Sequence, residues 1–241
     1  MLEINKRLLR LYIQWAQELK GNCSELLNDN YSNPYYVSIP NGWETAKNRI
    51  MVIGKEGYST GAWGKWKGLS VDSIDELQEY NYEVMMSNID RHQCNEYEKR
   101  KGAFWGRMRR IYQEFDCSCI WNNLDKIHHK TCENVKKNNS PLTCKEQKIL
   151  HSTPTKILKN EIEILKPTMV VFFGWYTYSL SSELPYVAEL LVESGWDKAN
   201  WQQDIPVIEV GNIKYIFTYH PNRKPKAYEQ LVIDTIRENI K

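Results

Sequence analysis

Four short apolar runs constrain what this chain can fold into: Ile50-Met51-Val52-Ile53, Cys117 to Asn122, Met169-Val170-Val171-Phe172-Phe173, and Ile213 to Thr218. Each ends abruptly, at Gly54, at Asn122-Asn123, at Gly174 and at Tyr219-His220 respectively. Runs this short, cut off by glycine or polar residues, read as buried parallel strands rather than helices. Between them lie helical patterns. Phe104, Met108, Ile111, Tyr112 and Phe115 share one stripe, and so do Ile157, Leu158, Glu161, Ile162 and Leu165, closed by Pro167. A C-terminal stripe of Tyr228, Leu231, Val232, Thr235 and Ile236 completes the set. Strands alternating with helices imply a parallel sheet with right-handed crossovers, which brings every strand's carboxyl end to one edge. That edge gathers Glu56 and Tyr58, Asn122 or Asn123, Gly174 and His220, where open α/β sheets collect their ligands.

The remaining segments are less regular. Ile4 to Lys20 is an amphipathic helix stopped by Gly21, and Asn22 to Asn48 reads as an irregular connection. Ser70 to about Tyr80 is a weak helix, Met85 to Arg100 crosses the surface, and His128 to Thr153 reads as a long basic loop. One or two helices fill Tyr176 to Ser194 around Pro185. Gly211-Asn212 marks a hairpin joining Val207–Val210 to the last strand. No linker divides the 241 residues, so one domain spans 1–241, with a helical N-terminal extension over about 1–48.

Composition excludes some function classes. No apolar run approaches the ~20 residues of a membrane span, and the N-terminus lacks a signal-peptide pattern, so a cytoplasmic monomer without membrane contact is expected. Six cysteines in such a chain should be reduced. They include no Cys-x-x-Cys pair, so neither a metal nor any other cofactor is expected. A net charge of +2 carries no claim about nucleic acid by itself. The basic groups Lys99-Arg100-Lys101, Arg107-Arg109-Arg110, Lys136-Lys137 and Arg223-Lys224-Lys226 are where a phosphate track would have to form.

The stretch Gly54-Lys55-Glu56-Gly57-Tyr58-Ser59-Thr60, with its following glycines and Gly68-Leu69-Ser70-Val71, resembles the first motif of the uracil-DNA glycosylase superfamily. Asn123-Leu124-Asp125-Lys126 is similar to that superfamily's strand-end asparagine motif, Leu165 to Gly174 to its central strand, and His220-Pro221-Asn222 to its second catalytic motif. The four matches fall in family order. The resemblance implies a three-layer α/β/α sandwich around a central four-stranded parallel sheet. It implies that Glu56 positions water and opposes the sugar cation, while His220 hydrogen-bonds the departing base. Gly54 would border the substrate and Tyr58 would exclude thymine. Asn123 would read the pyrimidine edge, or Asn122 if the alignment slips by one. Trp63 and Trp66 would form an aromatic wall, and Asn222 stands where a serine pinches a phosphate. Ser59, Arg223, Lys224 and Lys226 would meet the DNA backbone. Gly57 replaces the motif's proline, and no leucine wedge follows His220.

The residue types suit such chemistry in their own right. Breaking a deoxyribose–base bond leaves a cationic sugar and an anionic base, which call for a carboxylate, donors and stacking surfaces. The expected function is hydrolysis of the N-glycosidic bond of uracil, or a related damaged base, in single- or double-stranded DNA. The alternatives are a catalytically silent nucleic-acid or nucleotide binder, and a hydrolase of a free nucleoside.

Overall fold

The computed structural model describes residues 3–27, 31–32, 34–37, 39–40, 42–54, 102–129, 142–174, 177–195, 204–222 and 224–240. Among them, strands β1 (Arg49–Gly54), β2 (Ser118–Asn123), β3 (Met169–Phe173), β4 (Val207–Val210) and β5 (Ile213–Thr218) form one sheet in the order β2-β1-β3-β5-β4. The pairs β1/β2, β1/β3 and β3/β5 are parallel, and β4 joins β5 antiparallel. The expected four-stranded parallel sheet is therefore a five-stranded, mostly parallel one. The turn at Gly211, held at φ +60°, folds β4 back as an edge strand in addition to the four. Chain order reverses around β1, with β2 on one side and β3 on the other. This places the switch in winding between the carboxyl ends of β1 and β3.

The described helices are α1 (Glu3–Asn22), α2 (Ala103–Glu114), α3 (Cys144–Leu150), α4 (Ile157–Leu165), α5 (Thr177–Glu183), α6 (Pro185–Glu193) and α7 (Lys226–Asn239). Neighbouring residues of a strand face opposite ways, and β2 shows which helices lie where. Asn122 bonds to Glu161 on α4, while the Asn123 amide oxygen lies beside the Phe104 ring of α2 at Gly54. Helices thus flank both faces. Leu8, Tyr12, Trp15 and Leu19 of α1 belong to the same buried cluster as the sheet, so the N-terminal helix is part of the core.

The segment from His128 to Thr153, expected to be a loop, contains helix α3. Thr143 caps it by accepting from the Glu146 N–H, and Glu146 reaches back to the Thr143 N–H at 2.7 Å. Of its seven residues only Gln147 and Leu150 are buried, too few to print a helical stripe on the sequence.

A polar network is sealed beneath β2. Glu161 is fully buried and accepts from Lys126 Nζ at 2.7 Å, from the Tyr12 hydroxyl at 2.7 Å and from Asn122 Nδ2 at 2.9 Å. Burial pulls the Lys126 ammonium below its usual range, and the Glu161 charge works against that pull. Beside it, His151 lies between Asp125 and Glu183, each 2.8 Å away. Burial alone would lower the imidazole. Its hydrogen bonds to Asp125 and then Glu183 outweigh that and raise it to about 9. His128 is the opposite case, lowered to about 4, first by burial and then by the nearby His129.

Removing one partner of a buried pair leaves the other charge stranded. Glu161→Gln should cost about 3–5 kcal/mol in urea unfolding, and Lys126→Met with Glu161→Leu together should cost less than either change alone. The histidines set the pH window. Stability from His151, whose folded pKa is raised, is complete below about 6.5 and is lost as pH rises through about 9. Stability tied to neutral His128 is complete above about 6.5 and is lost as pH falls toward 4. Unfolding midpoints should therefore peak near neutrality, and His151→Gln should flatten the alkaline limb while sparing the acid one.

Candidate functional site

The two asparagines at the end of β2 have separate fates. Asn122 is spent on structure. Its Oδ1 accepts from Lys126 Nζ at 2.5 Å and from the Asn123 N–H at 2.8 Å, and its Nδ2 donates to Glu161. Asn123 faces the other way and is fully buried. Its Oδ1 accepts from Trp121 Nε1 at 3.1 Å. An indole N–H can only donate, so the amide atom facing it must be oxygen. That orientation leaves Nδ2 as a buried donor with no partner among the described residues. A buried orphan donor costs roughly 1–3 kcal/mol, which a ligand acceptor would recover.

Aromatic rings fix this amide in place. Tyr35 stacks obliquely on Trp121 with centroids 4.5 Å apart and donates its hydroxyl to the Trp121 carbonyl at 3.1 Å. Trp105 of α2 meets Trp121 edge-on at 5.2 Å. Across the register Gly54 pairs with Asn123, and a Cβ there would lie 3.2 Å from both Asn123 Oδ1 and the Phe104 ring. Glycine at 54 is what lets the amide and that ring approach each other. Phe104 also meets Phe173 edge-on at 5.1 Å and lies 6.3 Å from the His220 ring at 32°. It is a shared wall for the ends of β1, β2, β3 and β5.

His220 follows β5 and is half-buried. Its Nδ1 accepts from the Asn222 N–H at 3.1 Å. Burial lowers its pKa below the usual value, the positive charges of Arg107 and Lys224 lower it further, and Glu229 partly opposes them. At neutral pH the ring is therefore uncharged, and with Nδ1 accepting, its proton sits on Nε2. The result is a neutral donor.

Arg107, one of the basic residues where a phosphate track could have formed, is buried at 2% exposure. It forms a bidentate pair with Glu229 of α7 at 2.7 and 2.5 Å and donates to Thr218 Oγ1 at 2.8 Å and the Tyr219 carbonyl at 2.7 Å. An arginine in the second turn of α2 thus clamps the strand end that precedes His220. Its neighbour Arg110 pairs with Glu114 at 2.8 Å on the surface.

No protein-family model matches this chain, and no curated protein matches its sequence.

Of the residues expected to form the site, the structure brings Gly54, Asn123 and His220 to one edge of the sheet. Asn222 is exposed and serves His220 through its backbone. Lys224 holds its ammonium 4.5 Å over the Tyr219 ring, and Lys226 is exposed at the first position of α7. Glu56, Tyr58, Ser59, Trp63, Trp66 and Arg223 lie outside the described residues. Among the described residues no three metal-ligating side chains cluster. The thiols of Cys117 and Cys119 are both pushed up, first by burial, Cys117 to about 12. Phe104, Trp105 and Trp121 were not singled out as site residues. Phe104 reads as part of an ordinary apolar helical stripe, Trp105 lies beside that stripe, and Trp121 reads as a strand residue.

The His220 pKa, read from its imidazole carbon protons by NMR, should fall below 6.5. Lys224→Gln should raise it and Glu229→Gln should lower it further. An unchanged value in Lys224→Gln would show that the ammonium does not reach the ring.

Proposed function

We propose that the cleft at the strand ends binds an extrahelical oxo-base of DNA and hydrolyses its N-glycosidic bond, with uracil or a related damaged base as substrate. The observation that carries this reading is the Asn123 amide, with its oxygen taken by Trp121 and its buried NH₂ free to donate. Such a donor fits a ring carbonyl and repels an exocyclic amino group, which is the difference between uracil and cytosine. His220 supports it as a neutral donor on the same sheet edge.

In this reading the C1′–N bond breaks with both electrons leaving on the base. The charge gathering on the base's carbonyl oxygen is met by the His220 Nε2–H, which stabilises it without transferring a full positive charge into the pocket. Phe104 supplies one face of the slot. Glu56, two residues beyond the end of β1, opposes the cationic sugar and orients the water whose oxygen adds to C1′; the water's proton is taken up by Glu56 and ends on the released base. β1 and β5 are separated only by β3, about 10 Å from axis to axis, a span that a flipped nucleotide bridges.

Release of uracil from a uracil-containing oligonucleotide tests the proposal. Glu56→Gln and His220→Ala should each slow it by about 10²–10⁴ while DNA binding survives, since phosphate contacts supply most of the affinity. Tyr58→Ala should admit thymine. Trp121→Phe frees the amide to rotate, so uracil release should fall while cytosine release becomes measurable. Wild-type protein inert on every uracil-containing oligonucleotide, single- or double-stranded, would overturn the proposal. Cleavage confined to free deoxyuridine would move the activity to nucleosides.

A further inference from the structure

A cavity lies at the opposite edge of the sheet, where β1, β3 and β5 begin. It has a volume of about 660 Å³, and its wall includes Arg49, Thr168, Ile213 and Tyr215. The strands run five or six residues, so it sits roughly 15–20 Å from the Asn123 edge and shares no residue with that site. Its interior is apolar, built by Ile162 of α4, by Leu184 and Val187 at the start of α6, and by Ile213. Its size and lining are those of a small-molecule site rather than of a packing defect.

Two polar features stand out against that lining. Tyr215 is 4% exposed and lines the cavity. Burial, and then the nearby Glu163 carboxylate, push it up to about 12, so it remains a donor at neutral pH. A phenol O–H lining a cavity can donate to an acceptor bound there. The mouth is also cationic. Lys159 and Glu163 face each other at 3.9 Å, both more than half exposed, and largely cancel. Lys166 and Arg49 remain. Arg49 gives Nε to the Lys166 carbonyl and Nη1 to the Ala46 carbonyl, which fixes its guanidinium at the entrance. Tyr186, 59% exposed, adds an aromatic surface at the rim.

We propose that this cavity is a binding site for a small amphipathic carboxylate, its apolar body held among Ile162, Leu184 and Val187 and its head by Tyr215 with Lys166 and Arg49. Apolar burial supplies the affinity, and the donor and cations select the head group. The proposal does not depend on the activity at the other edge.

Titration calorimetry with decanoate, decanol and decylamine tests it, with displacement of the fluorescent probe anilinonaphthalene sulfonate as a second readout. Decanoate should bind one to one, displace the probe and bind at least about tenfold more tightly than decylamine. Tyr215→Phe keeps the ring and removes only the hydroxyl. It should weaken decanoate by about three- to tenfold, the scale of one hydrogen bond, with the melting temperature unchanged. Lys166→Gln should weaken decanoate and leave decanol alone. Val187→Trp should fill the cavity and abolish binding of both. Absence of saturable binding, decylamine equal to decanoate, or affinities unmoved by both Tyr215→Phe and Lys166→Gln would each overturn the proposal.

Discussion

The buried carboxylate of Glu161 is the constraint on which the rest of the structure depends. It joins α1 through Tyr12, the end of β2 through Asn122 and the segment after it through Lys126. A charge so deeply buried survives only when every oxygen is met, and here four contacts from three parts of the chain meet it. Holding Asn122 against α4 determines the orientation of its neighbour. Strand alternation then delivers Asn123 to the opposite face, under Phe104 and against Trp121. The amide that carries the functional reading is thus placed by a charge network on the far side of the sheet.

A similar division of labour operates at β5. Arg107 spends its guanidinium on Glu229, Thr218 and Tyr219, so it contributes position and electrostatics rather than direct contact with a ligand. Its positive charge, behind that of burial and ahead of Lys224, keeps His220 neutral. The ring can then donate a proton's hydrogen bond without adding a cation to the pocket. A basic residue that would pass for a phosphate contact in the sequence is in fact part of the support for the imidazole.

The parallel strands and the meeting of Gly54, Asn123 and His220 were legible because short apolar runs ending in glycine or polar residues have one economical reading. The resemblance favoured Asn123, but strand periodicity alone left Asn122 open, since adjacent positions on a strand differ only in what lies across the sheet. The structural role of Arg107 was hidden for a related reason: its partner Glu229 is 122 residues away, and nothing local marks the pair. Helix α3 escaped because its evidence was a capping box at Thr143 and Glu146 rather than a stripe. Strand β4 was visible as half of a hairpin, but its place at the sheet edge depends on pairing with β5.

The central claim is that a buried amide NH₂ donor and a neutral imidazole converge on one oxo-base. Side-chain ¹⁵N NMR tests it most directly, with the Asn123 NH₂, the Trp121 indole N–H and the His220 ring followed while free uracil or cytosine is added. The account predicts that uracil shifts the Asn123 and His220 resonances together, saturably, with the indole signal keeping its hydrogen-bonded position, and that cytosine leaves all three unmoved. Equal shifts with both bases, or uracil shifts that bypass Asn123, would contradict it.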